Sequence, residues 1–185
     1  KQNNSWSGEN TDVEGFVSPL IRANQQWRNH SALVIGCGGS ARAVIAGLKQ
    51  LELSSISIVG RKKVNLINFL RDMNTTLSDF PNSMTQTRIE GFLDTEKELI
   101  GKLSNIDLIV NTTPVGMGIA KNNPNFSTQM PLGKETWKNL NPETTLYDLI
   151  YNPRPTPWLA LGKSRGCKCI DGLEMLVQQG AASLR

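Results

Sequence analysis

From Ala32 onward the chain alternates short apolar runs with amphipathic segments. Ala32-Leu33-Val34-Ile35 is a continuous apolar run of strand length. Beyond a glycine-rich turn, Ala41, Val44, Ile45, Leu48 and Leu51 share a helical face, and Ile56-Ser57-Ile58-Val59 returns to β-branched residues. Short apolar runs bounded by turn residues read as buried strands, and a 3.6-residue period reads as an amphipathic helix. The three segments predict a βαβ unit. A second helix is predicted over Val64 to Met73, and an edge strand in the weakly patterned stretch near Thr85 to Ile89. Ile106 to Val110 and Thr145 to Ile150 read as buried parallel strands, and Cys167 to Ile170 as a last short strand before a helix from Gly172. Upstream, Val13, Phe16, Val17, Leu20 and Ile21 predict a helix from about Thr11 to Ile21. Pro19 would remove one of its hydrogen bonds, so Ser18-Pro19 is expected to restart it as a new cap and first position. The alternation throughout predicts an α/β fold, a doubly wound parallel sheet of about six strands with helices on both faces.

The turn after the first strand carries the first candidate chemistry. Gly36-Cys37-Gly38-Gly39-Ser40-Ala41 satisfies G-x-G-x-x-A between a predicted strand and a predicted helix. In a Rossmann-like fold the first glycine permits the tight turn, the second admits a pyrophosphate to the backbone, and the small third residue lets helix and strand pack closely. Amides at the helix start then face the anion. Cys37 reads as a filler within that loop. A bare tight turn is the alternative reading.

Some 20 residues further on, an NAD site usually places Asp or Glu against the ribose hydroxyls. Here the second strand ends in Gly60-Arg61-Lys62-Lys63. Three cations suit a 2′-phosphate, with Arg61 also able to stack on adenine, and they make NADP the expected cofactor. A solvated basic turn is the competing explanation. Asn111-Thr112-Thr113-Pro114-Val115-Gly116-Met117 follows the IDLIV strand. In the usual strand order this loop borders the first strand at the switch point, where the nicotinamide end of a ligand crosses. Gly162-Lys163-Ser164 resembles the end of a phosphate-binding P-loop, but Pro157 stands where the earlier glycine is required.

Composition narrows the picture without redirecting it. The 185 residues suffice for one well-buried domain, and 38% hydrophobic with 19% charged residues is ordinary for a globular chain. A net charge of +4 is spread along the sequence, so no nucleic-acid arm is expected. The apolar runs are too short to span a bilayer, and the first residues lack a signal-peptide core, which makes a cytoplasmic location the expectation. Three cysteines cannot all pair within one chain, and Cys167 and Cys169 with the lone His30 lack a fourth ligand, so reduced thiols and no metal site are expected. Near the start, Gly8 to Phe16 reads GENTDVEGF. Thr11 and Glu14 fit a capping box, and Asp12 falls in the first turn, where a carboxylate favours the positive end of the helix.

Taken in order and at their intervals, GENTDVEGF, VIGCGGSARA, NTTPVGM, YDLIYNPRPT and DGLEMLVQQG closely resemble the nucleotide-binding half of the shikimate dehydrogenases. The resemblance covers nearly the whole chain. It implies the reversible reduction of 3-dehydroshikimate to shikimate with NADPH, in the pathway to the aromatic amino acids. By position it implies that Asp12 contacts a substrate hydroxyl beside a catalytic Lys, with Asn10, Thr11, Tyr151 and Gln179 as further substrate contacts. Leu149 and Gly172 resemble backbone or packing contacts near the nicotinamide, beside Asn111, Thr112, Thr113 and Met117 from the switch-point loop. Away from the resemblance, Tyr151 is equally a strand-end aromatic and Gln179 an exposed helix residue.

Two departures qualify this. The family commonly carries Asn-Arg-Thr after the second strand where this chain has Gly60-Arg61-Lys62, and Asn65 stands where a second Arg is often found. The family's substrate domain, with its Ser-x-Ser pair and catalytic Lys, has no counterpart ahead of Asp12, where the one Lys is Lys1. Residues 1–9 are therefore expected to be residual linker from that domain. Residues 10–185 are expected to form the NADP-binding domain with a shortened last helix, inactive by itself, whether monomer or homodimer. The alternatives are a quinate/shikimate dehydrogenase using NAD and a non-catalytic nucleotide-sensing module.

Overall fold

The computed structural model describes residues 10–22, 26–78, 87–95, 97–118, 122–125 and 130–184. Six strands form one parallel sheet: β1 (Ser31–Ile35), β2 (Ser55–Gly60), β3 (Arg88–Leu93), β4 (Leu108–Asn111), β5 (Thr145–Asp148) and β6 (Lys168–Ile170). Their order is β3-β2-β1-β4-β5-β6, so the direction of winding reverses between β1 and β4. The helices are α1 (Thr11–Arg22), α2 (Gly39–Gln50), α3 (Lys63–Ser78), α4 (Lys97–Lys102), α5 (Lys134–Lys138), α6 (Pro157–Ser164) and α7 (Leu173–Ala182), with a 3₁₀ turn at Leu103–Asn105.

Alternate residues of the buried strands feed two cores, one on each face. Ala32, Val34, Ile56, Ile58, Leu108, Val110 and Tyr147 pack under Phe16 and Leu20 of α1, Val44 and Leu48 of α2, and Phe69 of α3. Leu33, Ile35, Val59, Ile109 and Leu146 point the other way, against Leu99, Trp137, Trp158 and Leu159. With both faces covered, β1 reads as the unbroken apolar run seen in the sequence. Each such side chain removed from water contributes about 1.5–3 kcal/mol before entropy is charged against it. Phe16 also stacks on Tyr147 with ring centroids 5.2 Å apart, which seats α1 over the end of β5.

The structure corrects several expected boundaries. Helix α1 runs unbroken through Pro19, so Ser18 is not a new cap. Its capping oxygen comes from Asn10, whose Oδ1 accepts from the Asp12 amide at 3.0 Å, while Thr11 Oγ1 lies 3.1 Å from Ser183 Oγ at the C-terminal end of α7. Strand β3 begins at Arg88, later than expected; residues 85 and 86 lie outside the described residues. It is the sheet edge, and with Phe92 its one fully buried position it offers little apolar alternation to read. Strand β4 starts two residues late at Leu108 and β5 ends two residues early at Asp148. Beyond Asp148 the backbone leaves the ladder to meet α7: Gly172 N donates to Ile150 O at 3.1 Å.

Candidate dinucleotide site at the switch point

The reversal between β1 and β4 opens a cleft of about 350 Å³ at the carboxyl edge of the sheet. In doubly wound sheets ligands bind at this place. One wall is the glycine turn. Gly36 has φ +116°, and a Cβ there would lie 2.5 Å from Thr112 Oγ1, so only glycine lets the β1 turn and the β4 loop come together. Thr112 fastens that junction, its amide and hydroxyl both donating to Ile35 O, at 3.0 and 2.8 Å. Gly38 and Gly39 are exposed, with nothing within 4 Å of where a side chain would begin. The start of α2 therefore faces open space with its backbone bare. Cys37 is half-buried against Gly60, and burial pushes its thiol pKa up, as suits a filler.

The opposite wall comes from the ends of β2 and β3. Arg61 and Lys62, both exposed, line the cleft with Asn65 from the first turn of α3 and Asp94 from just beyond β3. Among the described residues neither Arg61 nor Lys62 makes an ion pair or a side-chain hydrogen bond. Lys63 does not line the cleft; it is the first residue of α3. Gly60 is buried beneath this wall, in contact range of Leu66.

The floor is the loop after β4, and its shape has a buried cause. Thr112, Thr113, Pro114 and Val115 line the cleft, whereas Asn111 lies beneath them with no exposure. The Asn111 amide is fully used within the protein. Its Oδ1 accepts from the Thr113 amide and hydroxyl at 3.0 and 2.7 Å, and its Nδ2 donates to Asp148 Oδ1 at 2.9 Å. Asp148, also unexposed, accepts further from the Thr156 hydroxyl at 2.7 Å and the Ile150 amide at 3.2 Å. Burial pushes its carboxyl up to about 6 against these three donors. Asn111 thus shapes the cleft instead of lining it, and Asp148, which the sequence reading passed over, anchors it. Met117, 59% exposed, lies outside the cleft lining.

The residues expected to meet a substrate gather around the α1 and α7 pair. These helices are antiparallel: Thr11 meets Ser183 at one end, and Arg22 pairs with Glu174 at the other. Gly15 packs against Gln179, whose carbonyl accepts from Ser183 Oγ at 2.8 Å, so Asn10, Thr11, Asp12 and Gln179 share one neighbourhood. Tyr151 is half exposed, just after β5. Leu149 and Gly172 touch through backbone: a Cβ on Gly172 would lie 1.9 Å from Leu149 O. None of these residues lines the cleft itself. Cys37, Cys167 and Cys169 are free thiols. Among the described residues there is no cluster of three or more metal-type ligands, and no helix is long and apolar enough to cross a membrane.

Fold and cleft together define a Rossmann-like domain, wound in two halves about its central strand. No protein-family model matches the chain. Along its whole length, however, it is homologous to the shikimate dehydrogenases. It is 42% identical over 184 residues to the NADP(+) shikimate dehydrogenase of Prochlorococcus marinus (strain MIT 9515), covering 100% of this chain and 59% of the relative. It is 40% identical over 187 residues to that of Synechocystis sp., again with 100% and 59% coverage. A crystal structure of a shikimate dehydrogenase in complex with NADP+ matches with a TM-score of 0.73 at 27% identity, over 95% of this chain and 55% of that one. The chain thus spans somewhat over half the length of the relatives it matches.

Proposed function

We propose that this chain is the NADP-binding part of a shikimate dehydrogenase, which reversibly reduces 3-dehydroshikimate to shikimate. The observation that carries the reading is the cleft, which bare backbone at Gly38 lines together with Arg61 and Lys62. That arrangement fits a dinucleotide bearing an extra phosphate. Amides from Gly38 to Ser40 at the start of α2 hold the diphosphate. Arg61 and Lys62 take the 2′-phosphate, and Asn65 borders the same pocket. Thr112 and Thr113 form the floor toward the nicotinamide. NADPH, when bound, supplies the hydride.

The chain's own residues contribute position and charge. Asp12, in the first turn of α1, orients the substrate hydroxyl, and Gln179 and Tyr151 bound the substrate from the same side. The proton is exchanged with a Lys of the substrate-binding portion that the family carries elsewhere in its length, a contribution typically worth about 10² to 10⁴ in rate. The protein works in the cytoplasm on this reading, with a small-molecule substrate and no nucleic-acid or membrane partner.

The experiment is a calorimetric titration of the full-length protein with NADP+ and with NAD+, followed by shikimate oxidation. Clear preference for NADP+ and turnover of shikimate support the reading; preference for NAD+ removes the role given to Arg61 and Lys62. Asp12→Asn separates catalysis from architecture. It lowers kcat at least a hundredfold while leaving NADP+ affinity unchanged, and equal loss of both would make Asp12 structural.

A further inference from the structure

We propose that Asp94 selects the base of the bound dinucleotide by accepting a hydrogen bond from the exocyclic amine of adenine, an inference that rests on the NADP reading above. The sheet itself sets the geometry. Leu93 is in register with Gly60, so Asp94 comes level with Arg61 at the carboxyl edge of the sheet. The order β3-β2-β1 then places three chemistries side by side: bare glycine amides after β1, cations after β2 and a carboxylate after β3. Neighbouring strands are about 4.8 Å apart, so the carboxylate stands two strand spacings, about 10 Å, from the turn. All three line one cleft. A dinucleotide with its diphosphate over Gly38 and its ribose beside Arg61 carries its base toward the third position.

The state of Asp94 points the same way. It is half-buried, and among the described residues its carboxylate has neither a hydrogen bond nor an ion pair, although two cations line the same cleft. A pocket built only to attract a phosphate gains nothing from an anion in its wall, since that charge opposes the ligand's. A carboxylate does suit a donor. Ionised, it only accepts hydrogen bonds. Adenine offers an amine at its 6 position, whereas hypoxanthine and guanine offer a carbonyl oxygen there. A carboxylate set against the 6 position therefore gains a donor from adenine and meets a carbonyl oxygen in the other two.

The test compares NADP+ with its hypoxanthine counterpart, in which that amine is replaced by oxygen, by calorimetry on the full-length protein. The wild type should bind the adenine form at least about tenfold more tightly. Asp94→Asn, whose amide can either accept or donate, should bring the two within about twofold while keeping the preference for NADP+ over NAD+. A wild-type ratio near one overturns the proposal, as does a ratio that Asp94→Asn leaves unchanged. Asp94→Ala gives an independent check: tighter NADP+ binding with an unaltered base ratio would make the carboxylate a simple opponent of the phosphate, and also overturns it. Failure of the wild type to bind either dinucleotide overturns the functional reading, and this inference with it. That result differs from tight binding without base discrimination, which overturns the inference alone.

Discussion

Asn111 donates to Asp148 across neighbouring strands at 2.9 Å, and neither residue has any exposure to solvent. The two are register partners at the carboxyl ends of β4 and β5. From this pair the bonding spreads both ways, through Thr113 into the cleft floor and through Thr156 to the start of α6, where Thr156 Oγ1 also accepts from the Leu159 amide at 3.4 Å. A buried polar network of this kind fixes one arrangement only while every member is satisfied. The shape of the ligand cleft therefore depends on two residues that do not line it.

Asp148 gives this network a pH dependence whose sign follows from its shift. Burial raises its carboxyl from the ordinary 3.8 to about 6 in the fold. The folded state thus favours the neutral form. Stability from this group is full below about pH 4 and declines as pH rises through about 6, by an amount on the order of 3 kcal/mol. Urea unfolding of wild type and Asp148→Asn between pH 4 and 8 checks this. The difference between the two curves should change across pH 4 to 6 and be flat above it.

Gly172 should resist substitution for a steric reason alone. Its φ of −74° and ψ of −3° are helical values that alanine adopts freely, yet an added Cβ would lie 1.9 Å from Leu149 O. Relief requires the α7 start and the β5 end to separate. Gly172→Ala is expected to lower stability by about 3 kcal/mol or more, seen as a lower denaturant midpoint with an unchanged slope.

Arg61 and Lys62 carry the discrimination between dinucleotides in the functional reading. Hydrogen bonds to charged groups contribute about 1.5–3 kcal/mol each, or roughly ten- to a hundredfold in affinity. Arg61→Ala should weaken NADP+ by about that factor and leave NAD+ nearly unaltered. The loss should shrink as salt is raised, because both cations are exposed. Parallel weakening of both dinucleotides would assign Arg61 to the general shape of the cleft.

Tyr147 offers a prediction of opposite direction. Its ring is unexposed and stacked on Phe16, but its hydroxyl has no hydrogen-bond partner among the described residues. An unmade buried hydrogen bond costs about 1–3 kcal/mol. Tyr147→Phe keeps the stack and removes the unsatisfied oxygen, so it should stabilise by about 1 kcal/mol and raise Tm by about 2–4 °C. A lowered Tm would mean that the hydroxyl finds a partner in solution.

The parts of this fold that were legible in the sequence are those whose physics is local. Strands buried on both faces leave unbroken apolar runs, and a tight turn between strand and helix demands glycine, so β1, the turn from Gly36 and α2 could be read directly. Strand β3 could not be placed as well, because an edge strand with half-exposed side chains carries little pattern. The sequence reading named no helix at Lys97–Lys102, Lys134–Lys138 or Pro157–Ser164; these are short, and α5 has only five residues. Pro19 misled because the rule that proline interrupts a helix gave way to packing: it is buried within α1. Asp148 went unnoticed because its side-chain partners lie 37 and 8 residues away, one brought to it by the sheet register and the other by the start of α6. Asp94 was missed likewise, since nothing near it in sequence shows that it comes level with Arg61.

The union of α1 with α7 bears on how the molecule is made. Thr11 and Ser183 touch across 172 positions of chain, so α1, which already lies against α2 at Gly47, gains its second helical neighbour only once α7 has been made. During translation the side of α1 that meets α7, at Gly15, waits uncovered while the central strands assemble. Late closure of this contact carries a long loop's entropy and slows the final step. This helix seam is thus the part of the domain that stays open to chaperones longest during synthesis.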